Sequence, residues 1–337
     1  ENVFAIMQGV SINIFVRKNE NKTGLGSVYH AELSGKRETK FERLNSSDIS
    51  TVRWQKLECV PHYYFFVPKD FGAENSYTKG FRINDLFVNF GSGIKFRKDN
   101  LLIKKHFNRQ SVEQLLKDIN NLDNLSLYSK YDFNDTADWK LDDKKKFFQF
   151  GDVGNIQPVQ YRPFDIRYTY YPPDRINEII PRGDSRSKLM VNLFNDNIAL
   201  ITSRSFQVGE QFDRVFLTKN IAEIHSASDQ TYVFPLYIYI DGGSKIPNLK
   251  REIITEIEKI VGETKPKNIF DYIYAILHSP SYREKYKEFL KIDFPRVPYP
   301  KDEKQFYDLA SFGKELRELH LLESPQVNTL ITTYEVS

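Results

Sequence analysis

Between Gly93 and Arg109 the sequence places six cationic side chains against one carboxylate, that of Asp99, so these 17 residues carry a net charge of +5. In an extended segment, Lys95 and Arg97 fall on the same side, where both can contact neighbouring phosphates. A solvated protein face has the same composition, and the spacing alone does not choose between the two. We call residues 93–109 the basic strip.

A second cationic region, residues 162–204, is rich in arginine, and we call it the arginine segment. The planar guanidinium fork suits guanine edges and phosphates. Acidic residues dilute the segment, so we expect internal ion pairs, Asp165 with Arg162 or Arg167 being the nearest candidate. Short polar side chains at and beyond its end can read base edges. The candidate nucleic-acid-binding residues are Lys95, Arg97, Lys98, Lys104, Lys105, Arg162, Arg167, Arg175, Arg182, Arg186, Lys188, Ser203, Arg204, Gln207 and Gln211.

Catalytic patterns are weaker. The six histidines form no HxxxH pair, and the single cysteine, Cys59, excludes a disulfide framework and a multi-thiolate zinc site. His225 and Asp229 lie four residues apart among serines, which suggests an acid/base group, although a polar turn between two strands explains them equally well. We therefore predict that this chain carries no catalytic residue and no metal ligand.

The composition is typical of a globular protein without a membrane span. Of 337 residues, 28% are charged and 40% hydrophobic, and no apolar run reaches the length of a spanning helix. No signal peptide is recognisable, so we expect a cytoplasmic protein. The net charge of only +3 means that a polyanion partner has to bind a local patch. The chain begins at Glu1, without Met and inside an apolar segment, and we expect it to be a piece of a longer protein.

The elements that must position the cations are of mixed type. Strands are predicted at 3–17, where apolar residues alternate in the second half, and at 27–33. Apolar residues three and four positions apart predict a helix at 111–122, with Ser111 as its cap. Five aspartates predict an exposed arm at 129–146. After about residue 245 the apolar period becomes helical. We predict an α+β fold: a mixed-sheet α/β domain at 27–245, a helical subdomain at 246–337, and, at 1–26, the terminal strands of a preceding domain whose body lies upstream.

Several stretches together resemble the C-terminal target recognition region of Type ISP restriction-modification enzymes and related adenine-N6 DNA methyltransferases. The most specific is QPVQYRPFDIRYTYY (157–171), which matches a YRPFDxRxxYY signature. GIKFRKD (93–99) resembles a GVKTxRD element, with Phe96 where Thr is common. NVFAIMQGVSINIFVRK (2–18) resembles the last strands of the methyltransferase core, with departures at Met7 and Ser11. Further stretches at 28–44, 213–239 and 272–300 follow in the family's order.

The resemblance implies a role in bacterial defence. Such enzymes methylate adenine with S-adenosylmethionine, some also cleave DNA after ATP-driven translocation, and their recognition region reads an asymmetric site in duplex DNA. The methyl-transfer motifs would lie upstream of residue 1. The resemblance therefore carries over sequence-specific recognition of double-stranded DNA, with the upstream methyltransferase domain as a partner. It carries over no cofactor for this chain itself and no catalytic residue.

Two other functions remain as alternatives. The helical C-terminus could dock a translocase or a partner subunit, making the chain a protein-interaction module. His225 and Asp229 could instead belong to a metal-dependent nuclease.

Overall fold

A computed structural model describes residues 1–4, 6, 9–17, 24–59, 61, 63–180, 183–205, 211–227, 230–240 and 243–333. They form two compact units, Glu1–Phe71 and Gly72–Ser337. The strands are β1 (Val28–His30), β2 (Gln55–Leu57), β3 (Phe81–Arg82), β4 (Gly91–Ser92), β5 (Ile156–Arg162), β6 (Asp165–Tyr170), β7 (Ala199–Ser203), β8 (Val215–Thr218), β9 (Ile221–Ala222), β10 (Thr231–Pro235), β11 (Tyr237–Tyr239), β12 (Lys245–Pro247) and β13 (Arg296–Val297).

The helices include several of a single turn. They are α1 (Arg37–Ser46), α2 (Glu74–Tyr77), α3 (Ile83–Leu86), α4 (Asp99–Leu102), α5 (Arg109–Asn121), α6 (Asn124–Tyr131), α7 (Leu141–Lys145), α8 (Ile176–Ile179), α9 (Ser187–Met190), α10 (Arg251–Val261), α11 (Pro266–His278), α12 (Pro280–Lys285), α13 (Lys287–Leu290) and α14 (Glu303–His320). Short 3-10 helices lie at Val153–Asn155, Val191–Leu193 and Pro325–Asn328.

In the unit Glu1–Phe71, β1 and β2 pair antiparallel, and α1 follows β1. The predicted strand at 3–17 is wrong for its described residues, because 9–17 form no strand. Ile12 and Phe15 are about four-fifths exposed. A strand needs a neighbour to pair its backbone groups, and β1–β2 is the only strand pair among the described residues of this unit.

In the unit Gly72–Ser337, four antiparallel strands form a sheet in the order β4-β10-β7-β8. A second sheet has the order β6-β5-β9, in which β5 and β6 form a hairpin and β9 runs parallel to β5. Two further pairs, β11–β12 and β3–β13, complete the described strands of this unit. Together with the helices, these mixed sheets confirm the predicted α+β fold.

The segment 129–146 corrects the sequence analysis in part, because most of its residues are exposed as predicted but it is anchored to the core and does not form a free arm. It contains the end of α6 and the whole of α7, and Trp139 is only 1% exposed. The Trp139 indole Nε1 donates to the carbonyl of Ile179 at 2.8 Å. Burial of one large apolar side chain with a satisfied N–H keeps the segment against the core in spite of its many aspartates. Their carboxylates can point outward while the backbone stays close to the core.

Helix α5 corresponds to the helix predicted at 111–122, and its apolar residues Val112, Leu115 and Ile119 are all buried. The cap differs from the prediction: the side chain of Asn108, not of Ser111, accepts a hydrogen bond from the backbone N–H of Ser111 at 2.9 Å. Asn is as good an N-cap as Ser, so the helix simply begins three residues earlier than expected.

Helices α12 and α14 pack on α11, which is buried from Ile269 to Leu277. Helix α14 approaches it closely, because a side chain on Gly313 would overlap the carbonyl oxygen of Asp271. Arg317 and Asp271 form a buried ion pair between the two helices, with Nε to Oδ1 at 2.7 Å. The predicted boundaries near residues 26 and 245 stay predictions. Among the described residues, no helix combines the length and the apolar composition needed to cross a membrane.

Candidate nucleic-acid interface

The basic strip leaves β4 as an extended loop held by its backbone. Ile94 N–H donates to Ala222 at 2.8 Å, and Ile224 N–H returns a bond to Ile94 at 2.9 Å. A Cβ on Gly93 would lie 2.6 Å from the carbonyl oxygen of Glu223, so only glycine fits at this position. The position of the loop therefore depends on main-chain contacts, and the long side chains of the loop are not needed for them.

An open polar cleft of about 450 Å³ lies beside this loop. Three segments contribute its walls: the loop itself with the start of α4, the residues after α6, and the residues after β9. The cleft is lined by Lys95, Phe96, Arg97, Lys98, Asp99, Asn100, Asp132, Phe133, Asn134, Glu223, Ile224 and His225.

Arg97 is held by two carboxylates that are distant in sequence. Its Nη1 lies 3.0 Å from Asp138 and its Nε lies 2.6 Å from Asp184. The backbone N–H of Lys95 also donates to the carbonyl of Asp184, at 3.1 Å. Asp138 belongs to the segment 129–146, predicted as an exposed arm, and it neutralises a cation of the strip. The guanidinium of Arg97 is thus fixed at the cleft, with about a quarter of its side chain exposed.

Lys98 has a different environment from its neighbours, because it is only 8% exposed. Its Nζ donates to the carbonyl of Asn134 at 2.6 Å and lies 5.4 Å from the centroid of the Trp139 ring. Burial lowers the pKa of Lys98, while Asp135 and Asp138 oppose that shift. This ammonium stabilises the wall of the cleft, and little of it is available to a ligand.

Two residues that line the cleft, and a third beside it, have left-handed backbone conformations. Arg97 has φ = 63°, Asp132 has φ = 54° and Arg186 has φ = 49°. Arg97 and Asp132 line the cleft, and the Nε of Arg186 donates to Ser92 Oγ at 3.0 Å, next to the strand that leads into it. Such conformations are uncommon for residues other than glycine, cost on the order of 1–3 kcal/mol each, and cluster at functional sites.

Most described arginines of the arginine segment bind carboxylates. Arg167 pairs with Asp165 at 2.9 Å, which confirms one of the two predicted pairings. Arg162 instead pairs with Glu223 at 2.7 Å. The mostly exposed Arg204 contacts Asp293 at 2.7 Å.

Arg175 has four internal partners. It contacts Asp174 at 2.8 Å and Tyr170 Oη at 2.5 Å, and it also forms an ion pair with Asp152. The carbonyl of Phe147 accepts a further bond at 3.3 Å. A guanidinium with this many internal partners braces the fold.

Glu223 connects the hairpin β5–β6 to the cleft. Its Oε2 accepts from Arg162 Nη1 at 2.7 Å and from the backbone N–H of His225 at 2.6 Å. Burial raises the pKa of Glu223, against the opposing influence of these two donors. The carboxyl group therefore sits in the cleft wall, and the imidazole of His225, anchored through its own backbone, lies exposed at the rim.

The remaining candidates divide by exposure. Lys95, Lys104 and Lys188 are exposed, and the Nζ of Lys105 reaches only the carbonyl of Lys130, at 3.2 Å. Gln211 is exposed, whereas Ser203 is buried and its hydroxyl has no hydrogen-bond partner. Arg182 and Gln207 lie outside the described residues.

The sequence analysis did not place Asn100, Asn134 or His225 at a binding surface. They come together through long-range packing, and no local spacing marks them. Asp229, the proposed partner of His225 in a nuclease, lies outside the described residues. Within the described ranges, no three His, Cys, Asp or Glu side chains are grouped so as to hold a metal ion.

Comparison with known families identifies the class of protein. The Type ISP C-terminal specificity domain family matches residues 85–337. The chain therefore belongs to this family, and the prediction of a specificity region from a Type ISP restriction-modification enzyme is confirmed. A search of curated protein sequences gives no match.

Three solved structures share the fold, each at 19% sequence identity. A cryoEM structure of a DrdV–DNA complex aligns with a TM-score of 0.65 over 88% of this chain. A nuclease-deletion mutant of the Type ISP restriction-modification enzyme LlaGI with a DNA substrate mimic aligns at 0.60 over 88%, and the ATP-dependent Type ISP enzyme LlaBIII bound to DNA aligns at 0.60 over 85%. This chain spans only 30%, 24% and 19% of those three chains, respectively.

Proposed function

We propose that this chain binds double-stranded DNA at the polar cleft and reads a specific sequence there. The observation that carries the proposal is the coincidence, at one loop and beside it, of two left-handed arginines with one unneutralised lysine. Arg97 and Arg186 keep costly backbone conformations beside Lys95. The three solved structures that share the fold are DNA complexes, as their names state. These features favour a binding surface for a polyanion over a merely solvated face.

The cations divide between two tasks. Lys95, Lys188 and Arg186 are exposed and, among described residues, have no carboxylate partner, so they contact phosphates. Arg97 is fixed by its two carboxylates with part of its fork exposed, and a fixed fork distinguishes bases better than a flexible ammonium. The exposed imidazole of His225 adds a second group at the rim that can contact a base edge.

The chain acts within a larger enzyme. In that setting, an upstream methyltransferase domain of the same polypeptide uses S-adenosylmethionine to methylate adenine, and restriction activity belongs to further domains. The specificity domain itself uses no cofactor. Such an enzyme works on DNA in the cytoplasm.

Salt dependence of DNA binding tests the phosphate contacts. Fluorescence anisotropy with a labelled duplex of about 30 bp, roughly three helical turns, gives the association constant at several salt concentrations. Replacing Lys95 or Lys188 by Ala should reduce the slope of log K against log[salt] by about 0.9 per lysine and weaken binding about 10-fold near 0.1 M salt. The control Lys301→Ala removes an exposed lysine at the start of α14 and should change neither quantity.

A selection experiment tests sequence specificity. Successive rounds of binding to randomised duplexes should enrich one asymmetric motif, and Arg97→Lys should blur that motif because a point charge replaces the fork. Salt-insensitive binding, or a pool that stays random after selection with the wild-type chain, would contradict the proposal.

A further inference from the structure

Phe107 projects from the turn between α4 and α5 with 66% of its surface exposed. The other side of its ring is covered by a guanidinium, because the Cζ of Arg167 lies 4.3 Å from the ring centroid. Arg167 also lies 4.4 Å from the Tyr161 centroid, and Arg162 lies 4.0 Å from the same ring. Two aromatic rings and two guanidinium groups thus form a continuous stack whose outermost member is exposed to solvent.

The stack is rigid because Arg167 is fixed on every side. Asp165 accepts from its Nε at 3.1 Å and from its Nη2 at 2.9 Å, and its Nη1 donates to the carbonyl of Lys104. With two ring centroids within 4.4 Å of its Cζ as well, the guanidinium has little room to rotate. The surface behind Phe107 is therefore preorganised.

The residue before Phe107 anchors the turn as well. The ring of His106 is buried, with Nε2 at 2.8 Å from the carbonyl of Leu101 and Nδ1 at 3.3 Å from Ser111 Oγ. The carbonyl of His106 accepts from the N–H of Tyr168 at 2.9 Å. The turn thus holds an exposed apolar ring in a fixed position.

The charges around the ring match a nucleic acid. Lys104 and Lys105 precede it, both exposed, and no described carboxylate pairs with either of them. Phe107 lies nine positions after Lys98 of the cleft wall, a distance of at most about 32 Å even if the chain between them is fully extended. One turn of duplex, about 34–36 Å, therefore spans both the cleft and the ring.

We propose that Phe107 is a stacking platform for a nucleobase displaced from its normal stack in DNA bound at the polar cleft; this inference rests on the proposed function. A base inside regular duplex has both faces covered by its neighbours. Only a base step opened by a wedge, or a base without a partner, offers a face to the ring. The guanidinium behind the ring and the lysines beside it favour a nucleobase with its phosphates over an apolar protein segment.

The test compares two duplexes of the same length that differ at a single base. One is fully paired, and the other has one T·T mismatch. Both offer the same phosphates, so the ratio of their dissociation constants isolates the cost of unstacking a base. We expect the wild-type chain to bind the mismatched duplex on the order of 10-fold more tightly. Phe107→Ala should bring the ratio close to one, and Phe107→Trp should preserve it.

The matched control is Phe150→Ala, which removes an equally exposed phenylalanine, at 65%, with no guanidinium stacked on it among described residues. It should keep the wild-type ratio. If Phe107→Ala also keeps the ratio, or weakens both duplexes equally, the platform is disproved while the proposed function stands. If the wild-type chain binds neither duplex, the proposed function itself fails.

Discussion

In the basic strip, Lys95 and Lys104 project into solvent, whereas in the arginine segment Arg167 and Arg175 are enclosed by carboxylates and carbonyls. The strip is nevertheless not uniformly free, because its own Arg97 is held by two aspartates. The arginine segment is not uniformly neutralised either, because Lys188 is exposed.

Whether a cation is exposed or paired inside the protein therefore depends more on its residue type than on the region in which it lies. Guanidinium groups are weakly hydrated and offer a planar fork, so they pair inside the protein at little cost. Ammonium groups are strongly hydrated and stay at the surface. Lys98 and Arg186 are the exceptions, and both lie at or next to the cleft. Cationic sequence segments thus indicate where charge is located, and residue type indicates how much of it can reach a ligand.

The largest effect expected from this comparison is on stability. Arg175→Leu leaves Asp152 and Tyr170 without their cationic partner in a partly buried position, and should lower the free energy of unfolding by about 2–3 kcal/mol. Lys188→Leu, in the same segment, should change it by no more than about 0.5 kcal/mol. Urea unfolding measures both. Equal destabilisation by the two variants would contradict the division between bracing arginines and solvated lysines.

A smaller effect is expected from converting a braced arginine into a free one. Asp138→Asn combined with Asp184→Asn removes both charges that neutralise Arg97 while conserving side-chain shape. DNA affinity at low salt should rise about 5- to 10-fold and the salt slope should increase by about 0.9. The preference for the selected motif should fall, because the fork is no longer fixed. Lower affinity in the double variant would show that the aspartates support binding in some other way.

The smallest effect concerns pH. Burial lowers the pKa of His106, against hydrogen bonds that favour its charged form. Below about pH 6.5 the unfolded chain takes up a proton that the folded chain resists, so stability falls as the pH decreases. Burial also lowers the pKa of His278, to about 4, and that of His320. The contribution of His106 is therefore measured as the difference between the wild type and a His106 variant.

In His106→Gln, urea unfolding midpoints should therefore fall less between about pH 7.5 and 5.5 than in the wild type. Identical pH profiles for the two proteins would mean that the turn between α4 and α5 tolerates a charged imidazole at His106.

The helices were the most predictable part of the fold, because their signals are local. Val112, Leu115 and Ile119 define the buried face of α5 from sequence alone. The caps of α12 and α14 are local as well, because Ser279 accepts from the backbone N–H of Tyr282 and Asp302 from that of Gln305. The prediction for the segment 129–146 was wrong in part, because the burial of Trp139 depends on Ile179, 40 residues away.

The site was predictable as a list of residues and not as an arrangement. Arg167 and Asp165 are two residues apart, and their pairing follows from the sequence. Arg97 binds Asp138 and Asp184, which lie 41 and 87 residues away, and no local pattern indicates those contacts. Arg162 likewise reaches Glu223 across 61 residues. Local composition gives the cations, and only the packed chain decides their partners.

The loop at the cleft owes its position to main-chain bonds at Ile94 and Ile224 and to the absence of a side chain at Gly93. Its rim side chains, Lys95 and His225, take no part in that anchoring. Mutation can therefore exchange the rim without unfolding the frame. Under the proposed function, a domain built in this way can acquire a new DNA target by a few surface substitutions.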